Sequence, residues 1–537
     1  MLVLTDELLL NYVRCARRSY LNLYGDRRQA EPEKEFVRKL RRENQQQIAA
    51  LRANTSTTVV QYPRGDWQAG HQATLALMQQ GVPRIERAVL QCELPLPCLA
   101  SNWASSLGVG AVAQPGVPQA QPALANTQPA LANGQPTFIG VGRPTVLVRQ
   151  AGASRWGDWH YYPVNVKLGK RPKTEYKLIA TFQAVLLGQL QDALPTPPLL
   201  QLRDGKTYWV DWQRFGFSEV LADCVTALQQ PIAPEVFISR QRCSLCQWQT
   251  DCHAVALESQ HLSLIPGITP SRYAALKTLG ITELESLTTA QLSSDQLPDA
   301  LPPAVWTRLQ QQARSLFDHR ALPLPSAQLA PPMIPQSPIE LYFDLEAEPE
   351  RQVDFLFGVL CVNHQRQTEQ FYALTAQQPE EEHLIWQQFL ALVDRYPNAP
   401  IYHFSPYEAD TLRRLSRRYG LAHRSIGSLT ARCVDIHALI VQSATLPVES
   451  YSLKAIAAWL GFQWRDQGLS GDQTVCLYDD WLRTGDRTHL DTIIRYNEDD
   501  CRATYKLKTW LVEFWQEQVA NNFTEHPAHS KSPEDLT

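Results

Sequence analysis

Ile339-Glu340-Leu341-Tyr342-Phe343-Asp344-Leu345-Glu346 decides how this chain is read. It is an apolar, aromatic run of strand length that restarts the pattern after a proline-rich stretch. Asp344 and Glu346 stand at i and i+2, so both carboxylates leave one face of the strand. Two acids aimed the same way on an apolar strand repel each other unless a cation or water lies between them. Farther on, Tyr496-Asn-Glu-Asp-Asp500 sets a phenol one helical turn before an acid, again on a shared face. The strand pair points to metal binding or to water, and either pattern alone is common on a solvated face.

Asp-x-Glu on a first strand and Tyr-x3-Asp on a late helix resemble the DEDD exonucleases of the ribonuclease-H-like superfamily, tyrosine subclass, and most of all the YprB-like branch. The resemblance spans about residues 338–515. It implies a middle acid after a second strand, and Ile401-Tyr-His-Phe-Ser-Pro-Tyr407-Glu408 supplies Glu408 where many relatives have Asp. That change keeps the charge and lengthens the arm. Val434-Asp435 and Ser450-Tyr-Ser-Leu-Lys454-Ala-Ile-Ala-Ala-Trp-Leu-Gly461 extend the match. The implied mechanism is two-metal hydrolysis, with Mg²⁺ or Mn²⁺ ions about 3.5–4 Å apart held by Asp344, Glu346, Glu408 and Asp500. Tyr496 would orient the attacking water, since a phenol with a pKa near 10 is a poor base at neutral pH. His403 reads as a core histidine rather than a ligand. Arg413, Arg414, Arg417 and Arg418 form either a strip for the substrate strand or a solvated helix face.

Four of the eleven cysteines form a second constellation. Cys243-Ser-Leu-Cys246-Gln-Trp-Gln-Thr-Asp-Cys252 is a C-x2-C-x5-C run whose tight turn can aim two sulfurs at one metal centre. Three ligands leave one short of four, and Cys15 is the candidate fourth. Zinc, or no metal at all, stays open on the spacing alone. One distant cysteine followed by this run resembles the iron–sulfur staple of RecB-like nucleases such as AddB and the CRISPR-associated exonucleases. There a [4Fe–4S] cluster pins the two ends of a PD-(D/E)XK domain. Leu4-Thr-Asp-Glu-Leu-Leu-Leu-Asn-Tyr-Val-Arg-Cys15-Ala-Arg-Arg and Tyr162-Pro-Val-Asn165-Val-Lys167-Leu-Gly-Lys170 carry the same likeness, over residues 1–260.

That family expects Pro-Asp on one strand and Asp/Glu-x-Lys on the next. This chain has Pro144-Thr145 and Asn165-Val166-Lys167, so Lys167 remains and both carboxylates are missing. A hydroxyl or amide cannot supply the charge a hard divalent cation needs, and the expectation is a catalytically eroded domain. Asp158 and Glu175 could substitute but lie off the family's spacing. Lys167, Lys170, Arg171 and Lys173 read as a retained phosphate-contacting strip or as a solvated basic face.

Leu264-Ile-Pro-Gly267, with the helical spacing that follows to Leu287, resembles a helix–hairpin–helix. In that motif the turn at Gly267 points backbone N–H groups at a phosphate, although such turns also serve as plain connectors.

The 537 residues exceed one core, and a 44% apolar, 19% charged composition is ordinarily globular. No apolar run has the length of a bilayer span, and the start turns acidic at once, so the expectation is a cytoplasmic protein with no membrane contact. A net charge of −4 leaves nucleic-acid binding to local patches. The expected plan is an α/β multidomain chain: a PD-(D/E)XK-like domain at 1–260 with a disordered insert at 107–136, and a helix–hairpin–helix bridge at 261–322. A proline-rich linker at 323–337, a ribonuclease-H-like domain at 338–518 and a disordered tail at 519–537 complete it. The expected function is a 3′–5′ exonuclease for DNA rather than RNA, of DNA-repair type, with the eroded domain as a clamp. No Walker-type loop is present, so a helicase motor of that class would come from another chain. The rivals are an N-terminal nuclease with substitute ligands, and a non-catalytic nucleic-acid-binding scaffold.

Overall fold

The structure, a computed structural model, describes residues 1–53, 55–95, 137–193, 197–211, 217–420 and 423–525. The insert expected at 107–136 lies outside these residues. Contacts divide the chain into Met1–Val236 with Gln241–Cys252, and Phe237–Arg240 with His253–Thr537. The helical bridge thus belongs to the C-terminal unit. No described helix is long and apolar enough to cross a membrane.

In the N-terminal unit, β1 (Val3–Thr5), β5 (Thr137–Gly142) and β4 (Leu90–Pro95) form one sheet in that order. A second sheet runs β2 (Thr58–Val59), β3 (Arg84–Glu86), β6 (Val146–Ser154), β7 (Gly157–Val166), β8 (Leu199–Gln201) and β9 (Thr207–Trp209). The N-terminal Arg-, Glu- and Gln-rich stretch breaks into α1 (Asp6–Arg14), α2 (Ala16–Tyr24) and α3 (Glu35–Ala53). The helix α4 (Trp67–Gln79) follows, and then α5 (Thr174–Gln191), which is buried on every side from Leu178 to Gly188. Next come α6 (Phe217–Gln229), a single turn at Arg240–Cys243, and α7 (Gln249–Glu258).

The C-terminal unit opens with the bridge helices α8 (Pro270–Thr278), α9 (Leu284–Thr289) and α10 (Pro303–Phe317), which close on their own core around Leu276, Leu287, Trp306 and Leu309. The stretch expected as a linker at 323–337 is partly ordered. Here β10 (Leu322–Pro323) pairs with β16 (Ala444–Thr445), and α11 (Pro325–Leu329) follows. The prolines permit this because one sits at the first helical turn, where its missing N–H costs nothing, while Leu324 and Ala327 bury their side chains.

The main sheet has the order β13 (Thr368–Thr375), β12 (Val353–Asn363), β11 (Ile339–Glu348), β14 (Ile401–His403), β15 (Cys433–Asp435). The first strand, β11, is central, antiparallel to β12 and parallel to β14. Alternation along β11 divides its side chains. Phe343 and Leu345 join the cluster of Phe357 and Trp386 beneath α12 (Glu382–Asp394), while Tyr342 faces the cluster of Tyr402 and Leu507. Asp344 and Glu346 share the parity of Tyr342. The remaining helices are α13 (Pro406–Tyr419), α14 (His423–Ala431), α15 (Ile436–Ser443), α16 (Leu453–Trp459), α17 (Gly471–Thr484) and α18 (Arg487–Glu525).

The last helix packs across β11 and β12. A buried cluster fixes its register: Lys508 Nζ donates to Glu340 Oε1 at 2.7 Å, and Tyr342 and His364 reach Glu340 Oε2 at 2.6 and 2.9 Å. Burial pushes the Glu340 carboxyl up, but these three bonds outweigh it and hold it below the usual range. Lys508 is two turns from Asp500, so this pairing places Asp500 over Asp344. The helix also runs to Glu525, past the expected end at 518. The remainder of the expected tail lies outside the described residues.

Candidate metal centre

The sheet and the last helix bring three carboxylates together. Oxygens of Asp344, Glu346 and Asp500 all lie within 4.8 Å of one another, the one such group of acidic, histidine or cysteine ligand atoms among the described residues. Each is oriented by a neutral donor. Asn497 Nδ2 gives a hydrogen bond to Asp344 Oδ2 at 2.6 Å, Thr474 Oγ1 to Glu346 Oε2 at 2.7 Å, and Trp464 Nε1 to Asp500 Oδ1 at 2.7 Å. These donors fix the direction of each carboxylate, while the Lys454 ammonium adds a positive charge felt by Glu346 and Asp500.

The electrostatics follow from that arrangement. Burial raises the Asp344 carboxyl well above its ordinary range, and the charges of Asp500, Glu346 and Glu408 raise it further. Burial likewise raises Glu346 and Asp500. Tyr496, one turn before Asp500, is pushed far up by burial and then by Asp500, to which its hydroxyl is hydrogen-bonded. It therefore keeps its proton and acts as a donor. Three close acids with raised protonation are what a divalent cation would relieve, and their hard oxygens are the donors such ions take.

Glu408 lies in the first turn of α13, buried, and its charge acts on Asp344. It is not within the group of three. Its Oε2 accepts from Ser405 Oγ at 3.0 Å and stands 3.6 Å from His403 Nδ1. Ser405 holds a φ of +120°, a strained turn between β14 and α13 that carries the glutamate toward the sheet face. His403 Nδ1 gives its proton to the Ser405 carbonyl at 2.6 Å. Arg413 pairs with Asp410 at 2.8 Å, and Arg414 pairs with buried Asp354, so both guanidinium groups are engaged within the domain.

Residues 341–512 match the family model of the RNase_H superfamily. The C-terminal domain is RNase H-like. That supports a nuclease or phosphodiester hydrolase, and the acidic group fits the metal dependence of such domains. No curated protein gives a significant match to the chain.

The RNase H-like domain also contains residues that the sequence patterns passed over. Asn497 sits inside Tyr-x3-Asp, yet only tertiary packing shows it holding Asp344. Trp464 and Thr474 come from α17 and the loop before it, and nothing in their local spacing marks them.

In the N-terminal unit the expected eroded site is closed. Asn165 Nδ2 donates to Gln183 Oε1 at 2.7 Å, and Gln183 Nε2 to Asp6 Oδ2 at 2.9 Å. Arg143 occupies Asp6 through its backbone N–H at 2.8 Å and its guanidinium at 3.4 Å. Thr145 Oγ1 accepts from the Val166 N–H at 3.1 Å. Lys167 follows β7 with its ammonium pKa lowered by burial, 5.6 Å from the Tyr176 ring centre. Lys170, Arg171 and Lys173 are exposed.

Cys15 interrupts α1 and α2 with an extended backbone at φ −165°. The Cys246 N–H donates to the Cys243 carbonyl at 2.9 Å, the tight turn expected of the run. Burial raises the Cys246 thiol, and raises Cys252 to about 11, with Cys15 near enough to add to both. In the bridge, Gly267 has φ +94°, and its carbonyl accepts from Arg272 Nη1 at 2.7 Å.

Proposed function

We propose that the chain is a metal-dependent nuclease whose RNase H-like domain removes nucleotides from the 3′ end of DNA. The observation that carries this reading is the convergence of Asp344, Glu346 and Asp500 oxygens within 4.8 Å on a buried face. Asp344, Glu346 and Asp500, with Glu408 at the margin, would hold one or two Mg²⁺ or Mn²⁺ ions. When bound, these ions supply an acidified water and stabilise the departing oxygen. Tyr496, kept protonated, orients the water as a hydrogen-bond donor. Asn497, Thr474 and Trp464 keep the carboxylates aimed, so little reorganisation is needed during reaction.

The N-terminal unit serves in this proposal as an eroded, RecB-like clamp. The Asn165–Gln183–Asp6–Arg143 network supports erosion, because it pairs Asp6, a buried carboxylate, with an arginine. Cys15, Cys243, Cys246 and Cys252 would hold a [4Fe–4S] cluster, and the thiols of Cys246 and Cys252, raised by burial, gain from a metal that takes thiolates. Lys170, Arg171 and Lys173 offer exposed phosphate contacts.

End-labelled DNA and RNA incubated with Mn²⁺ or with EDTA test the function. Mononucleotides should appear from 3′ ends of DNA only with metal, and substrates intact in every arm refute the reading. Protein purified without oxygen should show visible charge-transfer absorbance and bound iron, both reduced by Cys252→Ser. Colourless protein carrying zinc or no metal removes the cluster and leaves the nuclease standing.

A further inference from the structure

Beside the carboxylates a cleft of about 460 Å³ opens between α16 and the loop leading into α17. Lys454, Gln463, Trp464, Asp466, Gln467 and Leu469 line it, with Asp466 held in an ion pair by Arg495 at 3.0 Å. Trp464 is a fixed plate. Its N–H is tied to Asp500 Oδ1 at 2.7 Å, and Phe462 packs edge-on at 82° with ring centres 4.9 Å apart. Lys454 brings the only ammonium among the cleft's walls. Its Nζ donates to the Leu469 carbonyl and stands 4.7 Å from the Tyr496 ring centre and 5.5 Å from that of Trp464.

The chemistry of these walls is specific. An immobilised indole accepts a flat aromatic ring at low ordering cost, and such stacking is tolerant of base identity. The ammonium beside it, which also faces the charges of Asp500, Glu346 and Asp472, provides a contact for an anion. Gln463 and Gln467 add neutral donors and acceptors. The volume is that of a small-ligand site. Ring, anion and adjacency to the acidic group together describe a nucleotide.

We propose that this cleft is the subsite for the terminal nucleotide of the substrate, its base stacked on Trp464 and its phosphate against Lys454. The assignment rests on the nuclease reading of the neighbouring carboxylates and adds to it where the substrate end is gripped. It gives Lys454 and Trp464 separable roles, one for phosphate and one for base.

Calorimetric titration of the full chain in Ca²⁺ with dAMP, and with 2-deoxyribose 5-phosphate, reads the two roles without turnover. The ligands share a phosphate and differ by the base. dAMP should bind on the order of 10-fold more tightly. Trp464→Ala should erase that advantage, while Trp464→Phe keeps most of it although the bond to Asp500 is gone. Lys454→Ala should weaken both ligands by a similar factor, and Lys454→Arg should restore them. Should Trp464→Ala fail to fold, Trp464→Phe and the comparison in the unsubstituted chain still decide. Equal affinity for the two ligands, no binding of either, or an advantage that survives Trp464→Ala overturns the proposal. A chain that degrades DNA yet shows no preference for dAMP loses only the subsite. One that binds dAMP through Trp464 but never hydrolyses loses the nuclease reading instead.

Discussion

Asp344→Asn should sharply lower hydrolysis and, in metal-free buffer, make the protein more stable. Both effects have one source. Asp344, Glu346 and Asp500 face each other within 4.8 Å, and burial with mutual repulsion raises the protonation of all three. The unfolded chain ionises its carboxyls near pH 4, while the folded one resists. The folded state therefore binds more protons, and its stability falls as pH rises above about 4. Removing one of the three charges relieves that penalty by on the order of 1–2 kcal/mol, since each pKa unit is worth about 1.4 kcal/mol. For a domain of this size that raises Tm by roughly 2–4 °C per kcal/mol. The amide can still present its oxygen to Asn497, so the supporting bond is kept. With Asp344 in its proposed role as a metal ligand, loss of its charge should lower turnover by about 10³-fold, equivalent to roughly 4 kcal/mol.

Metal should invert the order. Mn²⁺ at about 100 times its Kd stabilises the unsubstituted chain by about 2.7 kcal/mol through mass action, and the variant by much less. Thermal unfolding at pH 6 and 8, each with EDTA or Mn²⁺, reads this directly. A variant less stable than its parent in EDTA, or one that retains parental turnover, contradicts the argument.

The acidic site was legible where its geometry is local. Asp344 and Glu346 share a face because a strand repeats every second residue, and Tyr496 and Asp500 because a helix returns after one turn. Those periods are written in the chain. The donors that aim the carboxylates are not, since Thr474 reaches Glu346 across 128 residues and Trp464 reaches Asp500 across 36. Glu408 illustrates the middle case: its place after a strand was readable, but its distance from the other three depends on the Ser405 turn. The prolines of 323–337 marked a linker, and what composition did not show is its local order: the β10–β16 pair and the burial of Leu324.

Gly358→Ala should damage both stability and turnover through a residue on another element. Gly358 lies on β12 directly opposite Asp344. A Cβ there would stand 1.7 Å from Asn497 Oδ1, with Phe371 3.0 Å away on another side. Asn497 is fully buried and cannot swing into solvent, so it must give up Asp344 or push α18 outward. Overpacking of this kind costs about 1–3 kcal/mol, and losing a hydrogen bond to a charged group adds about 1.5–3 kcal/mol. With Asp344 no longer held, turnover should fall about 10–100-fold, as when a ligand's supporting partner is removed. Asn497→Ser empties the contested space. The Gly358→Ala/Asn497→Ser pair should therefore regain stability relative to Gly358→Ala, with a coupling energy of at least about 1 kcal/mol in urea unfolding. Turnover should stay low, because the shorter side chain leaves Asp344 unsupported. Additive losses would place the damage of Gly358→Ala elsewhere in β12, whereas a restored fold without restored hydrolysis ties the glycine to the aim of one carboxylate.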